Sequence, residues 1–275
     1  MANYIPYLLL TSVSIIILVG VLIWKKDLSY VTYYFFIAGL AYVFEYVILI
    51  LLESYTYRPN LVKIEIYDNI IGDLSSQAFS VPAAALLATA CRLRTRGVLV
   101  LVVFFIGVEE LFQYLFIYEH NWWRTYYTAI FLIVTFFLVQ WYYPLIVTYK
   151  FIRYVALYFS LLFFLSNGIF LLFLSFPEFH FHIGWFENKY RDSIAFSTML
   201  LLGKSFVLLL SFYYRRFTIF GVLLLFVLVD YYLVKSDILY VPNASIHALL
   251  FIIMTLSYIF LLAVDYIWIK KGSEM

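Results

Sequence analysis

The stretch from Gly97 to Tyr118, GVLVLVVFFIGVEELFQYLFIY, decides the fold. It is apolar on every side, so it has no wet face for a soluble protein to expose, and it is long enough to cross the ~30 Å hydrocarbon layer of a bilayer. Eight further runs read the same way. The nine expected spans cover about 4–24, 29–52, 70–91, 97–118, 126–148, 154–176, 193–214, 217–234 and 244–269, the eighth being the shortest. A backbone in lipid must satisfy its polar groups internally, and these uninterrupted runs lack the alternation of a barrel strand, so helices are expected.

Composition closes off the other classes. The chain has 275 residues, 66% apolar and 12% charged, whereas a soluble domain is nearer half apolar and a quarter charged. A soluble enzyme and a disordered chain are both excluded. The net charge of +2 gives no reason to expect nucleic acid as a partner. Cys91 is the only cysteine, so no intramolecular disulfide forms. The first run has no basic residue before it and no small-residue cleavage site, and reads as a retained helix. The sequon at Asn243 falls between helices close to the membrane and is read as chance.

Basic residues set the expected orientation. One side collects Lys25, Lys26, Arg92, Arg94, Arg96, Lys150, Arg153, Arg215, Arg216, Lys270 and Lys271, and the other collects Arg58, Lys63, Arg124, Lys189, Arg191 and Lys235. Eleven against six places the N-terminus outside and the C-terminus in the cytoplasm. An internal duplication is also expected. Tyr67-Asp68-Asn69-Ile70, before the third helix, returns as Tyr190-Arg191-Asp192-Ser193-Ile194 before the seventh, an offset of 123, and Gly97-Val98-Leu99 returns as Gly221-Val222-Leu223 at 124. The expected architecture is therefore an all-α transmembrane bundle, with a lone first helix (1–28) followed by two parallel four-helix units (29–153 and 154–275).

The loop Glu119-His120-Asn121-Trp122-Trp123-Arg124, framed by aromatic-rich helices, resembles small multi-helix membrane proteins of spore-forming Gram-positive bacteria. The resemblance covers one repeat unit. It implies a bacterial plasma membrane and transfers no functional residue.

Ionisable groups inside spans cost about 2.5–3.5 kcal/mol each near the centre, so each needs a reason. Glu109 and Glu110 are expected near the middle of the fourth helix, Lys204 near the middle of the seventh, Asp230 at similar depth in the eighth, and Glu45 toward the outer side of the second. Lys204 neutralises one acid, expected to be one of the adjacent glutamates, and three carboxylates remain. Gln113 shares a face with Glu109, and Ser197 and Ser211 share one with Lys204. Ser76, Ser80, Ala84 and Ala88 form an unbroken small-residue line for packing, and Pro82 interrupts the helix and frees a carbonyl. Asp73 and Gln77, one turn apart, either line a vestibule or cap the helix entrance.

Two functions fit this inventory. In the first, the protein is a transporter or channel-like protein for a small polar solute or cation. Glu109, Glu110, Glu45, Asp230 and Gln113 then serve as binding residues, with Lys204 as counter-charge. In the second, it is a non-catalytic assembly subunit whose polar residues hold helices together, its partners being the bilayer, membrane subunits or further copies of itself. No cofactor is expected, and His180 and His182 form a weak candidate metal pair. The Glu109-Glu110 pair resembles that of membrane-embedded prenyl-protein proteases, but Gln113 and Tyr114 stand where those have arginine. No other enzyme motif is present.

Overall fold

The computed structural model describes residues 2–214 and 219–273. Arg215 and Arg216, counted above on the basic side, lie outside the described residues. The fold is all-α. Nine continuous helices are found among the described residues: α1 (Tyr4–Lys25), α2 (Ser29–Leu51), α3 (Glu65–Cys91), α4 (Thr95–Tyr114), α5 (Thr125–Thr148), α6 (Lys150–Ser175), α7 (Lys189–Tyr214), α8 (Ile219–Lys235) and α9 (Ala244–Ser273). All but α8 are long and apolar enough to cross a membrane. The described part of α8 is 17 residues, the lower limit of a span, and it adjoins positions outside the described residues. Eight candidate spans are therefore found among the described residues, and the eighth expected span, about 217–234, is not among them. The outer faces carry the large apolar side chains Ile16, Ile23, Val100, Val103, Phe151 and Phe220, each more than 65% exposed. Such a surface fits lipid as its surroundings and marks an integral membrane protein.

The chain divides into two compact units, one of Met1–Arg153 with Ile267–Met275, the other of Tyr154–Tyr266. In the first, α1 packs along α3, where Ser14 Oγ meets Ser80 Oγ at 3.2 Å. Ala84 and Ala88, both buried, continue this face, so part of the small-residue line serves helix packing. The end of α9 closes the other side. Trp268 is packed edge-on against Tyr33 and Tyr143, and Lys271 Nζ lies 2.6 Å from Asp27. Burial raises the Asp27 carboxyl, but Lys271 and the Ser29 donors outweigh it, and the group titrates below the usual carboxylate range.

Pro82 leaves its mark on α3. Its ring removes one helical donor, and the helix widens into a π turn over Ser75–Ser80 immediately before it. The carbonyl of Ala78, four residues before the proline, accepts the Tyr34 hydroxyl at 2.5 Å instead. A second π turn, Tyr46–Leu51, ends α2.

Short strands were not expected from the sequence. β1 (Tyr55–Tyr57), after α2, pairs antiparallel with β2 (Tyr118–His120), after α4. Pairing requires α4 to stop early, so Phe116 takes the left-handed conformation at φ 56° and the helix ends at Tyr114. Glu109 and Glu110 therefore lie in the last turn and a half of α4, not at its middle. Gly72 is needed here because a Cβ would overlap Tyr57, which crosses directly over α3. Asp68 accepts the backbone N–H of Asn60, Leu61 and Val62 at 2.9, 2.6 and 3.1 Å, and Asn69 accepts that of Tyr57 at 2.8 Å.

The second unit builds its own strand pair the same way. β3 (His180–Phe181), after α6, pairs antiparallel with β4 (Leu239–Tyr240), after α8. Asp192 accepts four backbone N–H groups, from Ile183 (2.8 Å), Gly184 (3.0 Å), Trp185 (2.8 Å) and Phe186 (3.3 Å). Ser193 accepts that of Phe181 at 2.9 Å, and Asp237 ends α8 at φ 55°.

Candidate functional site

The strand pair of the first unit roofs a cavity of about 560 Å³. Leucine, isoleucine, valine and phenylalanine side chains of α2, α3, α4 and α5 form its walls, with Leu10 of α1. Its polar and aromatic lining includes Gln77, Glu109, Thr128, Tyr55, Tyr57, Tyr118 and Trp123. The two π turns are what bring this about. The turn in α3 presents Ser75, Ser76 and Gln77 to the cavity, and the turn after Glu45 carries the chain into β1.

Glu45 is 4% exposed. The Tyr55 hydroxyl lies 2.7 Å from both of its oxygens, and Gln77 Nε2 donates to Oε1 at 2.7 Å. Glu109 Oε1 meets His120 Nε2 at 2.7 Å, with both side chains about a tenth exposed. Among the described residues, the second oxygen of Glu109 has no hydrogen-bond partner, and neither does the buried Oδ1 of Asp73. The tyrosine hydroxyls report where these charges converge. Burial first, then the charges of Glu109, Glu45 and Asp73, push the Tyr118 hydroxyl far above its ordinary value. Burial, with Glu45 and Asp73 among the neighbouring causes, does the same to Tyr55 and Tyr57. Among the described residues, the Tyr55 phenol is the one of the three that donates to a carboxylate, that of Glu45.

The expected site residues do not form one group. Gln77 and Glu109 line the first unit's cavity, and Glu45 lies behind that lining, bonded to Tyr55 and Gln77. Glu110 faces outward, accepting the Thr125 hydroxyl at 3.0 Å, and Gln113 is half-buried on the same helix without lining the cavity. Lys204 pairs with neither adjacent glutamate. Its Nζ lies 2.6 Å from Asp230 Oδ1 within the second unit, both side chains being largely buried, with the Phe226 ring 5.5 Å from the nitrogen. Helix spacing gave no guide to that choice, because it says which residues share a face and not which face meets which. Ser197 and Ser211 turn back to the carbonyls of Ile194 and Leu208 on their own helix. A smaller cavity of about 290 Å³ in this unit is lined by Asp230, Tyr231 and His247.

His180 is held by the carbonyl of Glu178 at 2.6 Å, and His182 stands 3.6 Å from the carboxylate of Asp192. Among the described residues, no group of three or more histidine, cysteine or acidic side chains is arranged to hold a metal ion.

Sequence reasoning missed Tyr55, Tyr57, Tyr118 and Trp123 as cavity residues, because aromatic abundance was assigned to packing. The signal was the two-residue alternation of Tyr55-Thr56-Tyr57 and Tyr118-Glu119-His120, the period of a strand. Compared with known protein families, with curated proteins and with solved structures, the chain matches none.

Proposed function

We propose that this membrane protein binds a cation in the cavity of its first unit and carries it across the bilayer. One observation supports this most. The buried charged residues of that unit are Glu45, Asp68, Asp73 and Glu109, and no lysine or arginine is buried with them among the described residues. Asp68 is spent on the loop N–H groups. Of the other three, Glu109 faces the His120 imidazole and Glu45 the neutral donors Tyr55 and Gln77, and no buried ammonium or guanidinium stands with them among the described residues. Buried carboxylates in that state require protons or a cationic ligand.

The two units are read as a tandem duplication, because Asp68 and Asp192 hold equivalent loops and the two strand pairs arise at equivalent helix ends. The basic ends are read as cytoplasmic and the strand pairs as external, in a bacterial plasma membrane. With nine crossings the termini lie on opposite sides, so this reading needs α8 to cross. Single cysteines at positions 94, 150, 122 and 185, in a Cys91→Ser background, test it with an impermeant thiol reagent on intact cells. Labelling at 122 and 185 alone is expected, and labelling at 94 or 150 overturns the orientation.

Proteoliposomes test transport, with sodium and rubidium uptake measured directly and proton movement followed by an internal pH dye. Glu45→Gln and Glu109→Gln keep the shape of a protonated acid and cannot titrate. At least one is expected to stay folded in detergent and lose about tenfold or more of the flux, the scale of one charge-assisted interaction. Undiminished flux in both variants, or no flux in the native protein, rejects the transport reading.

A further inference from the structure

The two units place a carboxylate at the same point and differ in what faces it. Their correspondence rests on hydrogen bonds. Asp68 and Asp192, and likewise Tyr57 and Phe181, are 124 residues apart and make equivalent contacts. At the other strand, Ile117 N–H donates to Phe112 and Ile238 N–H donates to Leu233, both pairs 121 apart. By that second spacing Glu109 corresponds to Asp230 and Phe105 to Phe226, so along α4 and α8 the hydrogen bonds replace the expected match of Gly97 with Gly221, which are 124 apart.

The first spacing shortens along α3. A π turn holds one residue more than the α turn it replaces, and α3 has one at Ser75–Ser80 where α7 has none. Beyond it the offset is 123, so Lys204 corresponds to Val81. In the second unit, then, a tethered ammonium sits 2.6 Å from the carboxylate and over the Phe226 ring. In the first unit the carboxylate and the ring are kept, as Glu109 and Phe105. The lysine is replaced by Val81, and all three line the 560 Å³ cavity.

We propose that the first unit's cavity takes an organic ammonium compound, its charged nitrogen resting on Glu109 as the Lys204 nitrogen rests on Asp230. This deepens the cation reading above and rests on it. The remainder of the cavity argues for an organic body on the nitrogen. Its walls are mainly apolar and Glu109 is the one carboxylate among its described lining residues, which suits a single ammonium carried on a carbon skeleton. The Phe105, Tyr118 and Trp123 rings suit an ammonium group by their negative faces, and the apolar walls suit the carbon skeleton. Glu109 presents the oxygen that His120 leaves unbonded.

Calorimetric titration of the purified full chain in detergent tests this with phenethylammonium, and with 2-phenylethanol as a neutral compound of similar shape. Saturable binding of the ammonium is expected, with the alcohol weaker by about tenfold or more and Glu109→Gln weakening the ammonium by a similar factor. Val81→Lys should supply the missing tether. It is expected to fold, to bind no phenethylammonium, and to melt higher than the double variant Val81→Lys/Glu109→Gln, whose lysine has lost its partner. Equal binding of ammonium and alcohol, or undiminished binding by Glu109→Gln, overturns the proposal. A Val81→Lys chain that fails to fold overturns the equivalence with Lys204 on which it stands. Sodium, rubidium or proton flux through a protein that binds no phenethylammonium overturns this ligand class and leaves the cation reading intact. Absence of both flux and binding removes the two together.

Discussion

Lys204→Met is expected to destabilise the protein by about 3–5 kcal/mol, the cost of leaving one partner of a buried ion pair without the other. The pair is close, at 2.6 Å, and both side chains are nearly out of contact with the surroundings, at 6% and 12% exposure. Removing the ammonium leaves Asp230 on the wall of a mainly apolar cavity beside Leu223, Phe226 and Met254. The carboxylate then either stays charged without a partner or takes a proton. The double variant Lys204→Met/Asp230→Leu separates pairing from burial. An apolar pair of similar volume removes both desolvation costs, so the double variant is expected within about 1 kcal/mol of the native protein or above it. Unfolding of the four proteins of this cycle in mixed detergent measures the coupling. A Lys204→Met chain as stable as the native one means that the ion pair does not hold the second unit together.

Asp192→Ala should cost about 3 kcal/mol, less than the sum for four separate donors at about 1–3 kcal/mol each. Asp192 is fully buried, and its two oxygens gather the backbone N–H groups of Ile183, Gly184, Trp185 and Phe186. Without them the loop loses its anchor. Because Trp185 and its neighbours reach the surface, some of the released donors find water, which is why the costs do not add. The loop leads directly from β3, so the His180–Phe181 pairing with Leu239–Tyr240 should loosen with it. Limited proteolysis should cut the variant between 183 and 186 at an early time, and detergent unfolding gives the stability change. A variant resistant at that loop and unchanged in stability contradicts the anchoring role. Asp192→Asn should fall between, since an amide oxygen accepts fewer of these bonds than a carboxylate.

The helices were legible for a plain reason. A run such as Gly97–Tyr118 has only one way to satisfy its backbone in lipid, so its apolar length alone selects a helix. Lys204 needing an acidic partner was legible too, since an unpaired buried charge is too costly to keep. Which acid it takes was not, because Asp230 lies on a different helix and its facing depends on how α7 and α8 pack. The early end of α4 was hidden for the opposite reason. Leu115-Phe116-Ile117 is as apolar as the helix before it, and only the pairing of Tyr118 with Tyr57 stops the helix there. That one event moved Glu109 from mid-helix to the cavity roof and set His120 against it.

The amino-acid sequence by itself determined the membrane class, the all-α fold and nearly every helix, because these follow from length, polarity and local spacing. The tertiary structure alone decided the cavity. Glu45 meets Tyr55 and Gln77, and Glu109 meets His120, only after a proline-induced π turn, a glycine crossing and a strand pair have set distant segments side by side. Helical periodicity assigns a residue to a face of its own helix. Which carboxylates share a cavity, and whether a lysine stands among them, is settled by the packing of one face against another.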